Sequence, residues 1–114
     1  MGTIQHDALI ITAAHDMPFD RGDAPSDIEK AHEIAVRIFS TIGYESLVTP
    51  IAKGMMNGCA SFLIAPDGSK EGWDTSTKAE QVRALVKQEL RANVRNCTIV
   101  AVTFGEYGTS ASSE

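Results

Sequence analysis

Six segments of regular apolar spacing constrain the fold of this chain more than any other feature. The run over residues 8–14 is short, apolar and rich in β-branched side chains, which predicts a buried strand. Apolar residues recur at three- and four-residue steps over residues 26–43, which predicts a helix with one buried face. A second helix is predicted from about Ser76, and a final strand is predicted over residues 98–104.

The middle of the chain predicts a pair of antiparallel strands. Residues 47–56 and 59–65 are strand-like runs on either side of Asn57 and Gly58, a dipeptide that suits the positive φ angles of a two-residue hairpin turn. Pro50 has no N–H to donate within a sheet. The first strand of this pair is therefore expected at a sheet edge.

The element order β-α-β-β-α-β predicts a ferredoxin-like sandwich of the α+β class. In that fold, four antiparallel strands in the order 4-1-3-2 form one sheet, and two helices cover one of its faces. The order places the second strand at an edge, as Pro50 requires. We expect a single α+β domain over residues 1–105 and a flexible tail over residues 106–114, which are rich in Gly, Ser and Thr and lack an apolar pattern.

The second helix is expected to bury one apolar stripe and to expose its basic residues. The stripe consists of Ala79, Val82, Leu85, Val86 and Leu90. Arg83, together with the other basic side chains of this helix, is assigned to the solvent side.

Charge and composition exclude several functional classes. The 114 residues carry 15 acidic and 10 basic side chains, and the net charge of -5 repels a phosphate backbone, so we expect no nucleic-acid partner. The longest apolar run is far shorter than the ~20 residues that span a bilayer, and the first residues do not resemble a secretion signal. We therefore expect a cytoplasmic protein with no membrane partner.

His15, Asp16 and Cys59 are candidate catalytic residues in an alternative, enzymatic interpretation. The predicted sheet brings the end of the first strand, with His15 and Asp16, beside the strands that begin at Cys59 and Cys97. An imidazole beside a thiol lowers the thiol pKa and yields a nucleophilic thiolate. Two buried cysteines and a histidine bonded to the backbone are the simpler interpretation, which we favour. Zinc would lack a fourth ligand here, so we predict no metal and no cofactor.

Five residues are candidates for binding a ligand. Trp73 either covers the core, the interpretation we favour, or is exposed and forms with Lys70 a clamp for an aromatic anion such as a nucleotide. Arg21, Lys53 and Arg95 would gather at the hairpin end of the predicted sheet and add positive charge for the same class of molecule.

The sheet face that the helices leave uncovered is also predicted to be apolar. Along the first strand Leu9 and Ile11 alternate with Ala8 and Ile10, so neither face is polar. Because soluble monomers avoid large exposed apolar patches, we expect a second copy of the chain to cover this face and form a homodimer.

These observations predict a small cytosolic module that binds a nucleotide-like or other small anionic molecule without catalysis, as a homodimer. One alternative is a small cofactor-free enzyme of the dimeric ferredoxin-like type, in which His15 or His32 acts as acid or base. A further alternative is a protein-interaction subunit that uses the apolar sheet face.

Overall fold

The computed structural model describes residues 5–14, 26–55, 58–68, 73–94, 96–105 and 108–113. Within these ranges the chain forms five strands and two α-helices, with a short 3₁₀ helix at Glu45–Leu47. In chain order they are β1 (Gln5–Ala14), α1 (Asp27–Ser40), β2 (Ala52–Lys53), β3 (Cys59–Ile64), α2 (Asp74–Asn93), β4 (Thr98–Gly105) and β5 (Gly108–Ser113).

The sheet corrects the predicted fold class. Its order is β2-β3-β1-β4-β5, and each pair of neighbouring strands is antiparallel. The prediction of a four-stranded ferredoxin-like sheet with order 4-1-3-2 is therefore wrong, because a fifth strand pairs with β4 and occupies the sheet edge that the prediction gave to the last strand.

The added strand β5 comes from the segment that the sequence suggested was a frayed tail. It pairs with β4 along its whole length, from Gly105 opposite Gly108 to Val100 opposite Ser113. All six of its residues are exposed. The strand is thus held through the backbone rather than through a buried side-chain row, so it leaves no apolar alternation from which it could be predicted.

The predicted second strand is much shorter than expected. Only Ala52–Lys53 pairs with β3, and Val48 makes one isolated bridge to Ile64. The 3₁₀ turn at Glu45–Leu47 occupies the start of the predicted run. Pro50 lies between the bridge and β2, where its missing N–H interrupts the pairing, and β2 lies at the sheet edge.

Both helices pack on one face of the sheet. Leu9 and Ile11 of β1 belong to the same buried cluster as Phe39 of α1 and Leu90 of α2. The alternate β1 residue Ile10 is 39% exposed on the other face. The helices therefore cover the face that carries the odd-numbered residues of β1, and the opposite face has no covering layer among the described residues.

Helix α2 differs from its prediction in three respects. It begins at Asp74, with Trp73 as the N-cap residue, rather than near Ser76. Arg83 is buried, although it was assigned to the solvent side. Leu85, which was assigned to the core stripe, is exposed.

Among the described residues, neither helix has the length and apolar character needed to cross a membrane.

Candidate ligand-binding site

A cavity of about 360 Å³ opens beside the N-terminus of α2, and we name it the aromatic pocket. Its volume falls within the range of roughly 300–1,000 Å³ that is typical of small-molecule sites. It lies between the segment that follows α1, the loop that follows β3 and the first turn of α2. The lining residues are Gly43, Tyr44, Ser46, Leu47, Asp67, Gly68, Trp73 and Thr75.

Backbone geometry fixes the wall that carries Tyr44. Gly43 has a φ of 78°, a left-handed conformation that glycine adopts without a steric penalty. The turn allows the Tyr44 N–H to donate to the Phe39 carbonyl at 2.9 Å, which ties the segment to the end of α1. Leu47 then donates its N–H to the Tyr44 carbonyl at 3.0 Å within the 3₁₀ helix. The pocket wall is therefore continuous with regular structure.

Trp73 also lines the pocket and is 52% exposed. Its backbone is extended, and its carbonyl accepts a hydrogen bond from the Thr77 N–H at 3.0 Å, so its position is tied to the first turn of α2. This residue does not belong to the buried core cluster. An exposed indole that lines a cavity with a tyrosine is chemically suited to stack on a planar ring.

Asp67 connects the aromatic pocket to a buried cation. Its Oδ1 lies 3.8 Å from Nη1 of Arg83, whose side chain is only 7% exposed. Arg83 Nη2 lies 3.5 Å from Oδ2 of Asp7, and the Thr103 hydroxyl donates to Asp7 Oδ1 at 2.7 Å. Two carboxylates therefore compensate one buried guanidinium, which would be costly to bury alone.

A second cavity, of about 250 Å³, lies between α2 and strands β1 and β4, and we name it the arginine cavity. Arg83 and Asp7 line it together with Ser76, Glu80, Lys87 and Thr103. Among the buried side chains of the described residues, Nη1 of Arg83 is the polar atom that lacks a hydrogen-bond partner.

Sequence reasoning missed Arg83 and Asp7, although both had a detectable signal. Arg83 follows Ala79 by four residues and precedes Val86 by three, so it occupies a position in the buried stripe of α2. Asp7 shares the face of β1 that carries Leu9 and Ile11. A charged residue at an apolar position of each element was therefore the sign of an internal ion pair.

Of the five predicted ligand-binding residues, the structure describes Trp73 and Lys53, and of these two only Trp73 lines the aromatic pocket. Lys53 is exposed in β2 opposite Ala60, near the start of β3, whereas the pocket lies beyond the end of β3. Lys70, Arg21 and Arg95 lie outside the described residues.

The alternative catalytic residues are only partly covered by the structure. His15 and Asp16 lie outside the described residues, and Cys59 is an exposed free thiol at the start of β3. Cys97 is a half-buried free thiol, and burial, with a smaller contribution from the negative charge of Asp27, raises its pKa above the usual value. A raised pKa keeps this thiol protonated at neutral pH and makes it a poor nucleophile.

His32 has a structural environment. Its Nε2–H donates to the Thr49 carbonyl at 2.9 Å, and its ring makes an edge-on contact with Phe62 at a centroid distance of 5.0 Å. The ring thus links α1 to the segment before β2. Within the described part of the chain, no three His, Cys, Asp or Glu side chains are grouped so as to hold a metal ion.

Comparisons with known proteins give structural neighbours of low similarity. No protein family matches the chain, and no curated protein matches it in sequence. Two solved structures of phage SAM lyase, one in complex with S-methyl-5'-thioadenosine and one in the apo state, each give a TM-score of 0.48. Their identities are 10% and 12%; each alignment covers 96% of this chain, and 88% and 89% of the neighbour. A likeness of this size carries no functional assignment.

Proposed function

We propose that this chain is a binding protein for a small anionic molecule with an aromatic ring, such as a nucleotide, and that the ring occupies the aromatic pocket. The observation that carries the proposal is the half-exposed indole of Trp73 in a cavity that Tyr44 also lines. Stacking a ring on these side chains removes apolar surface from water on both partners.

The surroundings of the pocket suit a ligand that also carries negative charge. Thr75, in the first turn of α2, lines the cavity, and the free N–H groups of a helix N-terminus favour an anion. The carboxylate of Asp67 would oppose an anion, and its ion pair with Arg83 at 3.8 Å weakens that repulsion, although Arg83 also pairs with Asp7. Lys70, three residues before Trp73 in the sequence, is proposed to add a cation.

We also propose that the protein acts as a homodimer through its uncovered sheet face. Ile10 and Phe104 are 39% and 36% exposed, and the half-buried Leu63, Val100 and Val102 are also apolar. Ile10 lies opposite Leu63 in β3 and Val100 in β4, so these three side chains form one row across the face. Covering the row would remove the apolar surface from water.

Trp73 is the single tryptophan of the chain, so the tryptophan fluorescence responds directly to a ligand in the aromatic pocket. Titration with AMP is expected to change the tryptophan fluorescence saturably, the uncharged adenosine and S-methyl-5'-thioadenosine are expected to bind more weakly, and inorganic phosphate alone is expected to cause no change. Calorimetry should then show that Trp73→Ala weakens binding about tenfold, because stacking contributes about 1–3 kcal/mol, and that Trp73→Phe retains most of the affinity.

Leu85→Ala is the matched control for these variants, since Leu85 is an exposed apolar residue of α2 that does not line the pocket. It should bind the ligand as the native chain does. Unchanged fluorescence with every aromatic ligand, or equal binding by Trp73→Ala and the native chain, would reject the pocket as the ligand site.

A further inference from the structure

We propose that the arginine cavity is a second binding site, separate from the aromatic pocket, and that it takes a small neutral molecule with several hydroxyl groups, such as a pentose. Three features of the cavity support this proposal: the hydrogen bonding of Arg83, the charge balance of the lining and the size of the cavity. None of them depends on the function proposed for the aromatic pocket.

The guanidinium of Arg83 retains capacity to donate. Its contacts with Asp7 and Asp67, at 3.5 and 3.8 Å, are ion pairs longer than the ~2.7–2.9 Å of a charge-assisted hydrogen bond, and Nη1 has no hydrogen-bond partner. An arginine has five N–H groups in a rigid fork, and buried donors are almost always paired. Nη1 itself is enclosed by protein beside Asp67, so a ligand in the cavity would accept from the other N–H groups of the guanidinium, and a molecule that brings acceptor oxygens is favoured.

The charge of the lining favours a neutral ligand. Asp7 and Glu80 contribute two negative charges, and Arg83 and Lys87 contribute two positive charges. A phosphate or carboxylate would approach two existing carboxylates, and a third, Asp67, lies 3.8 Å from the guanidinium. The charges of the four lining side chains cancel, and Asp67 outside the lining adds a further negative charge, so the site does not favour an anion.

Hydroxyl groups match this mixture because each one both donates and accepts. A hydroxyl oxygen can accept from Arg83 while its proton is donated to Asp7 or Glu80. Ser76 and Thr103 add two protein hydroxyls to the lining, and the Thr103 oxygen can still accept a hydrogen bond while its proton is donated to Asp7.

The size of the cavity limits the ligand. At a share of ~30 Å³ per water molecule, a cavity of about 250 Å³ holds roughly eight waters. A pentose is smaller than the cavity and would leave room for a few water molecules beside it. A disaccharide would have to extend out of the cavity past Glu80, which is exposed.

The test is an NMR titration of the full isotope-labelled chain with D-ribose, with inorganic phosphate as the anionic probe. Ribose is expected to shift the Arg83 Nε–H signal and the amides of Ser76 and Thr103 saturably, and to leave the Trp73 indole signal in place. Ser76→Ala and Arg83→Met should each weaken ribose binding by about fivefold or more, as expected for lost hydrogen bonds.

Arg91→Met is the matched control, because Arg91 is an exposed arginine of the same helix and does not line the cavity. It should bind ribose as the native chain does. Since Arg83→Met removes the partner of two carboxylates and can unfold the chain, Ser76→Ala keeps the test decisive. Three outcomes would each overturn the proposal: NMR shifts with phosphate but not with ribose, ribose shifts confined to residues of the aromatic pocket, or no saturable shift with ribose. AMP binding at Trp73 is tested separately, by the tryptophan fluorescence.

Discussion

Cys97 shows how burial and a nearby charge can change the chemistry of a side chain. The thiol is half-buried, and burial followed by the negative charge of Asp27 raises its pKa. Both effects disfavour the thiolate, which is the form that reacts with electrophiles. The thiol of Cys97 should therefore react more slowly than an ordinary solvated thiol.

The measurement is the rate of alkylation by iodoacetamide at mildly alkaline pH, followed by mass spectrometry. In a Cys59→Ser background, in which Cys97 is the remaining thiol of the chain, we expect the folded chain to react severalfold more slowly than N-acetylcysteine. Unfolding in urea should restore the free-thiol rate. Equal rates for the folded chain and N-acetylcysteine would show that Cys97 is neither desolvated nor affected by Asp27.

At the same scale, Arg83 shows what a residue-by-residue interpretation of the sequence loses. Arg83 was assigned to solvent because it is charged, yet its place in the repeat of Ala79, Val86 and Leu90 puts it inside. Its carboxylate partners, Asp7 and Asp67, are 76 and 16 residues away in sequence. The periodicity could have indicated that Arg83 is buried, but its partners depend on the pairing of β1 with β4 and on the course of the loop after β3.

At the scale of elements, the strand pair β2 and β3 depends on one close backbone approach. The Gly54 N–H donates to the Cys59 carbonyl at 2.6 Å. A Cβ atom built on Gly54 would lie 2.7 Å from that carbonyl oxygen, closer than nonbonded atoms approach. Any side chain at this position therefore forces the two segments apart.

We expect Gly54→Ala to destabilise the chain by about 1–3 kcal/mol, the usual cost of overpacking, as measured by urea unfolding. Lys53→Ala, in β2 next to Gly54, is the control. Among the described residues, the exposed Lys53 makes no hydrogen bond or ion pair, and its removal should change stability by less than about 0.5 kcal/mol. An unfolding midpoint of Gly54→Ala equal to that of the native chain would show that the turn relaxes without cost.

Element prediction succeeded where a buried side-chain row left a periodic signal. Helix α1 was predicted from its apolar steps and begins at Asp27, after Ser26, whose hydroxyl donates to Glu29 at 3.0 Å. Element prediction failed where backbone hydrogen bonds alone hold a segment in the sheet. Only two residues of the predicted second strand pair with β3, and β5 was not foreseen at all, so the fold class was wrong.

The whole molecule has an uncovered sheet face whose partner is proposed to be a second copy. Light scattering during gel filtration should give a mass of twice 12.2 kDa for the native chain. Ile10→Lys places a charge in the centre of the apolar row and should yield the monomer, because a buried unpaired ammonium is costly. Leu85→Lys, at an exposed position on the helix side, should remain dimeric. A native chain that elutes as a monomer would contradict the proposed interface.

The strand β5 has a consequence for how this protein would vary between relatives. Its six exposed residues contribute backbone pairing to β4 and no side chain to the core. Substitutions there are constrained only by the need for an extended conformation, so the amino-acid sequence of β5 can change while the geometry of the sheet is retained. Alignments based on residue identity would then break off near residue 105, although the homologous chains continue to share the same final strand.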